Sequence, residues 1–348
     1  MAAIHAREGT PIEGDGLSRP AGATAPSRPL LQIEDLRTYF DTDRGIIKAV
    51  DGVSYEINPG EVLAVVGESG SGKSVTAMSI MGLVQSPPGR IASGAIRLAG
   101  EDLIGKSERE MLAIRGSRIA MIFQDPMTSL DPVFTIESQM AEAILQHRDV
   151  GGAEARDIAI EMLARVHIPD PARRLGAYPF ELSGGLRQRV MIAMQLALRP
   201  SLLIADEPTT ALDVTVQAQI LSLLKEVQAE FNMAILLITH DFGVVQRIAD
   251  RVAVMYAGRV METASVRSIV ETPRHPYTRA LLSSRPRIGE RGRLRAIPGT
   301  PPNLANPLPG CPFANRCAEV DDSCWIDVPR LRAVGPDRQV RCIREDSA

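Results

Sequence analysis

The sequence contains no long apolar run. Hydrophobic residues make up 45% of the 348 residues, yet the longest uninterrupted apolar stretches, such as MAILLI at 233–238, have the length of a strand. A membrane-spanning helix needs about 18 or more predominantly apolar residues, so the sequence predicts none. The N-terminus also lacks the apolar segment of a secretory signal. We therefore expect the chain to stay in the cytosol and to contact a membrane only through partners.

An excess of charge of one sign is missing too. The chain has 39 Lys and Arg residues against 42 Asp and Glu residues, a net charge of -3. Such a balance gives no general attraction to nucleic acid or anionic lipid. A local basic run is formed by Arg285, Arg287, Arg291, Arg293 and Arg295. We interpret this run as a solvated arm, and contact with a partner or with lipid headgroups remains the alternative.

Cysteine is absent from the main body of the chain. The four cysteines all follow residue 310: Cys311, Cys317, Cys324 and Cys342. A reducing cytosol disfavours disulfides, so clustered thiols favour a metal site. Their spacing, C-x5-C-x6-C-x17-C, matches neither the usual zinc knuckle nor the bacterial ferredoxin run. Spacing alone therefore leaves an iron–sulfur cluster, zinc and unliganded thiols open.

The remaining pattern predicts an α/β fold. Residues 1–29 are rich in Gly, Pro, Ser and Ala, which predicts a disordered tail. Continuous apolar runs at 62–67, 201–206 and 233–239 are typical of buried strands, and a helical pattern lies between the last two. Strand, helix and strand in succession predict a parallel sheet with crossover helices. No internal repeat is visible.

Two further segments differ in pattern from the predicted sheet. Apolar spacing from about 127 to 198 predicts a helical subdomain within a domain that spans 30–270. Beyond this domain the composition shifts to Pro, Gly and Arg, which predicts a linker or a loosely structured extension over 271–348. The cysteines lie in that extension.

A phosphate-binding loop follows the first predicted buried strand. Gly67, Gly72, Lys73 and Ser74 fit G-x-x-x-x-G-K-[ST]. The glycines let backbone N–H groups curl around phosphate oxygens, and the following helix points its positive end at the same anion. Lys73 is expected to reach the β- and γ-phosphates, and Ser74 to bind Mg²⁺. The predicted ATP-binding residues of this loop are Gly67, Glu68, Ser69, Gly70, Ser71, Gly72, Lys73, Ser74 and Val75.

Acidic and polar residues follow other predicted strands. Asp206 ends the strand LLIAD, where an acid can hold the Mg²⁺ that bridges the phosphates, and Glu207 comes next. Strand alternation would turn Glu207 away from Asp206, so it is predicted to polarise an attacking water. His240, after LLIT, is a predicted γ-phosphate sensor, and Gln124, after IAMIF, is predicted to contact Mg²⁺ or water.

The phosphate loop is one anion-binding segment, or anion grip. A second anion grip, LSGGLRQR at 182–189, precedes another predicted helix. These motifs, in this order, resemble the ATP-binding-cassette (ABC) ATPases over roughly residues 31–270. The stretches FQDPMTSLDPVFTI and YPFELSGGLRQRVMIAM are similar to one subfamily, the dipeptide/oligopeptide (and nickel) importer ATPases. The resemblance implies a P-loop NTPase fold with a mixed or parallel sheet core, a helical subdomain and a small cysteine-rich C-terminal extension.

The resemblance also implies how the two grips cooperate. In this family two cassettes pair head to tail, and ATP lies between the loop of one and the signature segment of the other. The implied signature residues are Leu182, Ser183, Gly184, Gly185 and Gln188. Asp213 would cross the interface, Glu207 would be the catalytic base, with His240 and Lys73 as further catalytic residues, and Gln124 would join Ser74 and Asp206 at Mg²⁺. Phe40 would stack on adenine, with Tyr39 as the alternative.

The function implied by the resemblance is that of an ATP-hydrolysing motor in a membrane importer of peptides. Nickel or another small solute is an alternative cargo. The implied partners are a second cassette, with a heterodimer favoured over a homodimer, two permease subunits and an extracytoplasmic substrate-binding protein. The implied place is the cytoplasmic face of the inner membrane, as a peripheral subunit. The extension, with PGTPPNLANPLPGCPFANRC, further implies a structural [4Fe–4S] cluster on the four cysteines, with zinc as the alternative.

Two other classes of function fit the sequence less well than transport. A cassette acting on DNA or ribosomes would carry a second ATPase unit or a long coiled coil, and this chain has one set of motifs with no sustained heptads between Ser74 and Asp206. The near-neutral charge also lacks a nucleic-acid footprint, so no nucleic-acid partner is expected. A metabolite kinase would leave His240 and the second grip without a role.

Overall fold

The computed structural model describes residues 28–124, 130–210, 212–284 and 296–346. Most of the predicted N-terminal tail and the whole arginine run from Arg285 to Arg295 lie outside these residues, as do the first positions of the predicted helical subdomain. The strands are β1 Leu31–Thr42, β2 Gly45–Ile57, β3 Val62–Val66, β4 Gly89–Leu98, β5 Glu101–Asp102, β6 Ile119–Ile122, β7 Leu202–Asp206, β8 Ala234–Thr239, β9 Arg251–Tyr256, β10 Arg259–Ser265, β11 Arg332–Gly335 and β12 Arg338–Val340. The α-helices are α1 Lys73–Met81, α2 Glu108–Ile114, α3 Ile136–His147, α4 Gly152–Arg165, α5 Pro171–Arg174, α6 Gly184–Leu196, α7 Val214–Phe231, α8 Phe242–Ile248, α9 Val266–Glu271 and α10 Pro276–Ser283.

The described strands form two sheets. The larger has eight strands in the order β11-β12-β10-β9-β3-β8-β7-β6, and the smaller has four in the order β2-β1-β4-β5. Strands β9, β3, β8, β7 and β6 run parallel, and β10, β12 and β11 add antiparallel pairs at one side. Every residue of β3, β7 and β8 is buried, because the sheet is covered on both faces. The predicted α/β class with a mixed sheet is confirmed.

Helices α3, α4 and α6 pack on one another between β6 and β7 in the chain. On α3, Ile136, Met140 and Ile144 recur every four residues and are all 0% exposed, which places them on one face of the helix. Thr135 caps the start of α3 by accepting from the Ser138 N–H at 3.2 Å. These helices bury their apolar faces together in the same core as β7 and α7.

The C-terminal extension is continuous with the larger sheet. Strand β12 pairs with β10, with Glu262 opposite Val340 and Thr263 opposite Gln339. The expectation of a linker or loose segment after residue 270 differs from the structure at α10. A proline in the first turn suits a helix, and the His275 side chain caps it by accepting from the Tyr277 N–H at 3.0 Å. Proline thus begins this helix rather than breaking it.

Candidate functional site

The candidate nucleotide site lies at one edge of the larger sheet. The loop 67–72 follows β3, Glu207 follows β7, and His240 follows β8. These three strands are parallel neighbours, in the order β3-β8-β7, and β6, which precedes Gln124, lies next to β7. Because the carboxyl ends of parallel strands meet at the same edge, the topology brings the predicted site residues to one place.

Two glycines of the loop are required by close backbone contacts. A Cβ on Gly67, at φ +158°, would lie 2.1 Å from the Met255 carbonyl oxygen. A Cβ on Gly72, at φ +100°, would lie 2.3 Å from the Ala49 carbonyl oxygen. No side chain fits at either distance, so glycine is the residue that lets the loop turn tightly against β9 and β2. Helix α1 then begins at Lys73, with its first N–H groups at the loop.

Lys73 bridges the two ends of the loop. Its Nζ donates to the carbonyl oxygens of Gly67 at 2.9 Å and Glu68 at 3.0 Å. Burial lowers the pKa of Lys73, while the nearby carboxylates of Glu207, Asp206 and Glu68 act in the opposite direction. The ammonium group is thus held inside the loop that would wrap a phosphate. Of the other loop residues, Ser71 is buried, Val75 is half-buried, and Ser69, Gly70 and Ser74 are exposed.

Asp206 has the properties of a cation ligand. It is 5% exposed, and burial raises the pKa of its carboxyl group, against a hydrogen bond from Ser74 that lowers it. Its Oδ1 has no hydrogen-bond partner among the described residues. A buried carboxylate oxygen without a donor is costly unless something compensates its charge. Beside the Ser74 hydroxyl, this oxygen fits the oxygen-rich ligand set that Mg²⁺ prefers.

Glu207 is the centre of a polar cluster. Its Oε1 lies 3.0 Å from His240 Nδ1, and its Oε2 accepts from Thr210 Oγ1 at 2.8 Å and from Gln124 Nε2 at 3.2 Å. Burial raises the pKa of Glu207, but the hydrogen bonds of His240 and Thr210 outweigh it, so the pKa lies below its ordinary value. Glu207 is therefore ionised at neutral pH and able to accept from a water.

The structure adds two contacts to this part of the predicted site. Gln124 was predicted to contact Mg²⁺ or water, and here its amide contacts Glu207. Thr210 was not predicted as a site residue, although a hydroxyl three residues after a functional acid, in a turn, is a signal that could have identified it.

The second predicted grip begins a helix. Ser183 is the N-cap of α6, and its Oγ accepts from the Leu186 N–H at 3.4 Å. Ser183 and Gly184 are exposed, and Gly185 lies so close to Val216 that a Cβ would be 2.8 Å from its Cγ1. An exposed cap and exposed N–H groups at a helix start can receive an anion from a neighbouring molecule.

The other predicted interface residues differ in their surroundings. Leu182 is 3% exposed and Gln188, within α6, is 1% exposed, and Gln188 Nε2 has no hydrogen-bond partner among the described residues. Asp213 is the exposed N-cap of α7, and its Oδ1 accepts from two backbone N–H groups at 3.0 Å each. A cavity of about 510 Å³ beside Ser183 is lined by residues of α6 and α7, and its described lining includes no residue of the phosphate loop.

The two predicted adenine-stacking residues have different surroundings on β1. The hydroxyl of Tyr39 donates to Asp51 Oδ1 at 2.8 Å, and burial together with that bond raises its pKa to about 12. Its ring also lies near the cations of Lys48 and Arg90, at 5.9 and 5.8 Å. Phe40 is half-buried and approaches Gly89, where a Cβ would be 2.8 Å from its Cε1. The Phe40 ring has no hydroxyl group and so forms no such hydrogen bond.

The four cysteines come together around one cavity of about 20 Å³, which Cys311, Cys317, Cys324 and Cys342 all line. Burial raises the pKa of Cys311 to about 11 and also raises that of Cys317, so both are thiols at neutral pH. Within the described ranges, no group of three or more His, Cys, Asp and Glu side chains is arranged closely enough to hold a metal ion. The segment thus brings the four thiols to one cavity, but does not arrange them closely enough to form a metal site.

Among the helices in the described parts of the chain, none is both long and apolar enough to cross a membrane.

Comparisons with known proteins agree with the motifs. The model of the family "ABC transporter" matches residues 50–210, and that of "Oligopeptide/dipeptide transporter, C-terminal region" matches residues 261–324. The chain is 51% identical over 314 residues to the oligopeptide transport ATP-binding protein AppD of Bacillus subtilis, covering 90% of this chain and 96% of AppD. It is 51% identical over 318 residues to the dipeptide transport ATP-binding protein DppD of the same organism, covering 91% of this chain and 95% of DppD.

Solved structures agree as well. A dimeric structure of MJ0796, a bacterial ABC transporter cassette, superposes with a TM-score of 0.61 at 28% identity, covering 68% of this chain and 99% of that one. The predicted P-loop NTPase architecture is confirmed by this likeness and by the family match. The chain belongs to the family of ABC transporter ATP-binding proteins and carries the C-terminal region of the oligopeptide/dipeptide branch of that family.

Proposed function

We propose that this chain is the ATP-hydrolysing subunit of a membrane importer of peptides. The observation that carries the proposal is the convergence of the loop, Asp206, Glu207 and His240 at one sheet edge, with a second anion grip exposed at the start of α6. The names of the similar oligopeptide and dipeptide transport proteins support peptides as the cargo. Nickel or another small solute is the second candidate.

The residues of the loop bind and orient the nucleotide in this proposal. Lys73 exchanges its bonds to the carbonyls of Gly67 and Glu68 for the β- and γ-phosphate oxygens, and the N–H groups at the start of α1 contact the same phosphates. Mg²⁺, which neutralises phosphate charge when bound, would be held by Asp206 and Ser74, with Gln124 nearby. The unpaired Oδ1 of Asp206 supports that assignment. Phe40 remains our choice for adenine, with Tyr39 the alternative.

Glu207 and His240 act on the γ-phosphate side. The ionised Glu207 carboxylate accepts a hydrogen bond from the attacking water and receives its proton, while His240 orients that carboxylate and contacts the γ-phosphate. Thr210 fixes the second carboxylate oxygen. The geometry therefore supports Glu207 as the catalytic base.

The site is completed by a second cassette. Ser183, Gly184 and Gly185 would contact the nucleotide bound to a partner cassette, with Leu182 and Gln188 supporting them and Asp213 at the same interface. The dimeric MJ0796 cassette supports pairing of this kind. We favour a different cassette over a second copy as the partner. Two permeases, contacted by the helices that follow residue 130, and an extracytoplasmic substrate-binding protein complete the importer, with this chain on the cytoplasmic face of the inner membrane.

Reconstitution tests the proposal. The chain would be assembled in proteoliposomes with candidate permeases and a second cassette from the same organism, and phosphate release and peptide uptake would be measured with a candidate substrate-binding protein. We expect ATP-dependent peptide uptake. Uptake of Ni²⁺ in place of peptide would favour the second candidate. ATP hydrolysis that no solute or binding protein stimulates would contradict a role in import.

We also propose that the four cysteines hold a metal group, a [4Fe–4S] cluster with zinc as the alternative. Four thiolates are a donor set for both, and their shared cavity supports this assignment. A metal would have to displace the protons of Cys311 and Cys317 and draw the four sulfurs together. Iron, acid-labile sulfide and zinc would be measured in anaerobically purified protein. Absence of all three would contradict the proposal.

A further inference from the structure

The C-terminal extension contacts the phosphate loop at Glu68, the residue after Gly67. All the polar atoms of Glu68 are bonded. Its N–H donates to Tyr277 Oη at 3.0 Å, and its carbonyl oxygen accepts from Lys73 Nζ at 3.0 Å. Its carboxylate forms a two-point pair with Arg316, at 2.8 Å from Nη1 to Oε2 and 3.1 Å from Nη2 to Oε1. Two of these three partners lie beyond residue 270.

Contacts other than the pair with Glu68 hold the Arg316 side chain in place. Its side chain is 4% exposed, its Nε donates to the Pro298 carbonyl at 2.9 Å, and its Nη1 also donates to Tyr256 Oη at 3.1 Å. A guanidinium group held at several nitrogens loses little further freedom when it binds a carboxylate. Arg316 therefore offers the Glu68 carboxylate a partner that is already held in place by Pro298 and Tyr256.

Tyr277, the other residue of the extension that contacts Glu68, packs among aromatic rings. Tyr277 is 0% exposed, and its ring packs on those of Tyr256 and Phe313, with centroids 4.6 and 5.2 Å away. Phe313 and Arg316 belong to the same short segment, between Cys311 and Cys317. Tyr256 ends β9, next to Met255, whose carbonyl oxygen closely approaches Gly67. The first turn of the loop thus packs against residues of both β9 and the extension.

The charge of Glu68 makes this contact relevant to nucleotide binding. Glu68 places a carboxylate in a loop that wraps a polyphosphate, and like charges at short range repel strongly where water is partly excluded. Removing one member of a buried pair leaves the other charge uncompensated. The bonds to Arg316 both neutralise Glu68 and direct its side chain toward the extension.

We propose that Arg316 is a positioning residue for ATP binding, which acts by holding and neutralising Glu68 in the phosphate loop. The inference rests on the proposed nucleotide site. It assigns to the C-terminal extension a part in binding ATP, in addition to any metal that its cysteines hold.

Equilibrium binding of a fluorescent ATP analogue to the full-length chain tests this proposal. We expect Arg316→Ala to weaken binding by about tenfold or more, because the Glu68 carboxylate is released toward the phosphates. In the assembled complex, KM for ATP should rise while kcat at saturating ATP changes by less than about twofold. The matched control is Arg279→Ala, which removes an arginine paired with Glu319 elsewhere in the extension and should bind like wild type.

A double variant separates charge neutralisation from general support. Glu68→Gln added to Arg316→Ala removes the uncompensated charge, so we expect affinity to return to within about threefold of wild type. If the double variant binds as weakly as Arg316→Ala, or if Arg316→Ala binds like the control, the proposal is overturned. Should Arg316→Ala fail to fold, Arg316→Lys keeps the charge but loses the second bond, and it must bind less tightly than wild type. Wild-type protein that binds no ATP would instead contradict the nucleotide site itself.

Discussion

A strand that continued past Asp206 would direct Glu207 to the opposite side of the sheet. The backbone instead enters the left-handed region at Glu207, with φ +48°, and its N–H donates to the Ile238 carbonyl at 2.8 Å. A non-glycine residue in that conformation is strained and needs surrounding contacts to hold it. The contacts of Glu207 with His240, Thr210 and Gln124 supply them. The sequence therefore predicts which acidic residue follows β7. The direction of its side chain depends on the backbone turn that the hydrogen bond to β8 holds.

The first prediction concerns Glu207→Gln. The amide keeps the shape of the side chain but cannot accept the proton of the attacking water, so turnover should fall by about 10²- to 10⁴-fold while ATP affinity stays close to wild type. Phosphate release by the assembled complex and equilibrium nucleotide binding are the two measurements. Glu271→Gln, at an exposed carboxylate at the end of α9, is the matched control. Wild-type turnover in Glu207→Gln would remove Glu207 from catalysis.

The second prediction concerns pH. The hydrogen bond from Thr210 favours the ionised form of Glu207, so Thr210→Val should raise the pKa of Glu207 toward its ordinary value. The group must be ionised to act as a base, so the acid limb of the kcat profile should move to higher pH in the variant, with little difference well above both pKa values. Because the pKa of Glu207 lies at or below the ordinary value of a glutamate carboxyl in both proteins, the profile would be recorded from about pH 3.5 to 7. An acid limb that does not move would show that Glu207 does not control it.

At the scale of the secondary-structure element, α6 combines two roles at its first turn. Ser183 caps the helix within its own chain, and the same exposed hydroxyl and N–H groups face outward. A capping role predicts a loss of stability when Ser183 is replaced, whereas a role toward a partner's nucleotide predicts a loss of activity. The two roles can be separated because other helices of this chain are capped by serine as well.

The third prediction uses that comparison. Ser183→Ala and Ser107→Ala each remove a serine cap whose Oγ accepts a backbone N–H at 3.4 Å, at α6 and α2. Each should lower the free energy of unfolding by about 1 kcal/mol. We expect Ser183→Ala alone to reduce ATP turnover in the assembled complex, by about tenfold or more. Equal turnover in the two variants would limit Ser183 to capping.

Most strands near the site could be predicted because their signals are local. Strands β3, β7 and β8 are continuous apolar runs, and glycines at fixed offsets identify the loop. Helix α10 was missed because its segment has the composition of a linker, and its start depends on a histidine cap. The contact of Arg316 with Glu68 spans 248 residues, and no periodicity within either segment indicates it. Pairing across such a distance depends on the whole fold.

At the scale of the whole molecule, buried Arg341 joins the end of β12 to its neighbour β10 in the larger sheet. Its Nε donates to the Val260 carbonyl at 2.8 Å and its Nη1 to the Pro329 carbonyl at 2.9 Å, and the residue is 8% exposed. Burial lowers the pKa of Arg341 to about 10, which still leaves it charged at neutral pH. The residue links β10, β12 and the segment before β11.

The fourth prediction concerns this link. Arg341→Ala leaves two carbonyl groups without donors and a cavity in place of the guanidinium group, so the free energy of unfolding should fall by about 2–4 kcal/mol. Denaturant unfolding of the full-length chain measures it. Arg267→Ala, whose side chain is 83% exposed, is the control and should change stability by less than about 0.5 kcal/mol. Equal losses in both variants would contradict the role of Arg341.

The pairing of β12 with β10 has a consequence for synthesis on the ribosome. The partners of Glu262 and Thr263 are Val340 and Gln339, nearly eighty residues later in the chain. Until β12 has been synthesised, β10 is an open strand edge, and open edges template association between chains. A nascent chain that has not reached β12 therefore carries an exposed edge that chaperones or proteases can recognise, and the synthesis of β12 covers it.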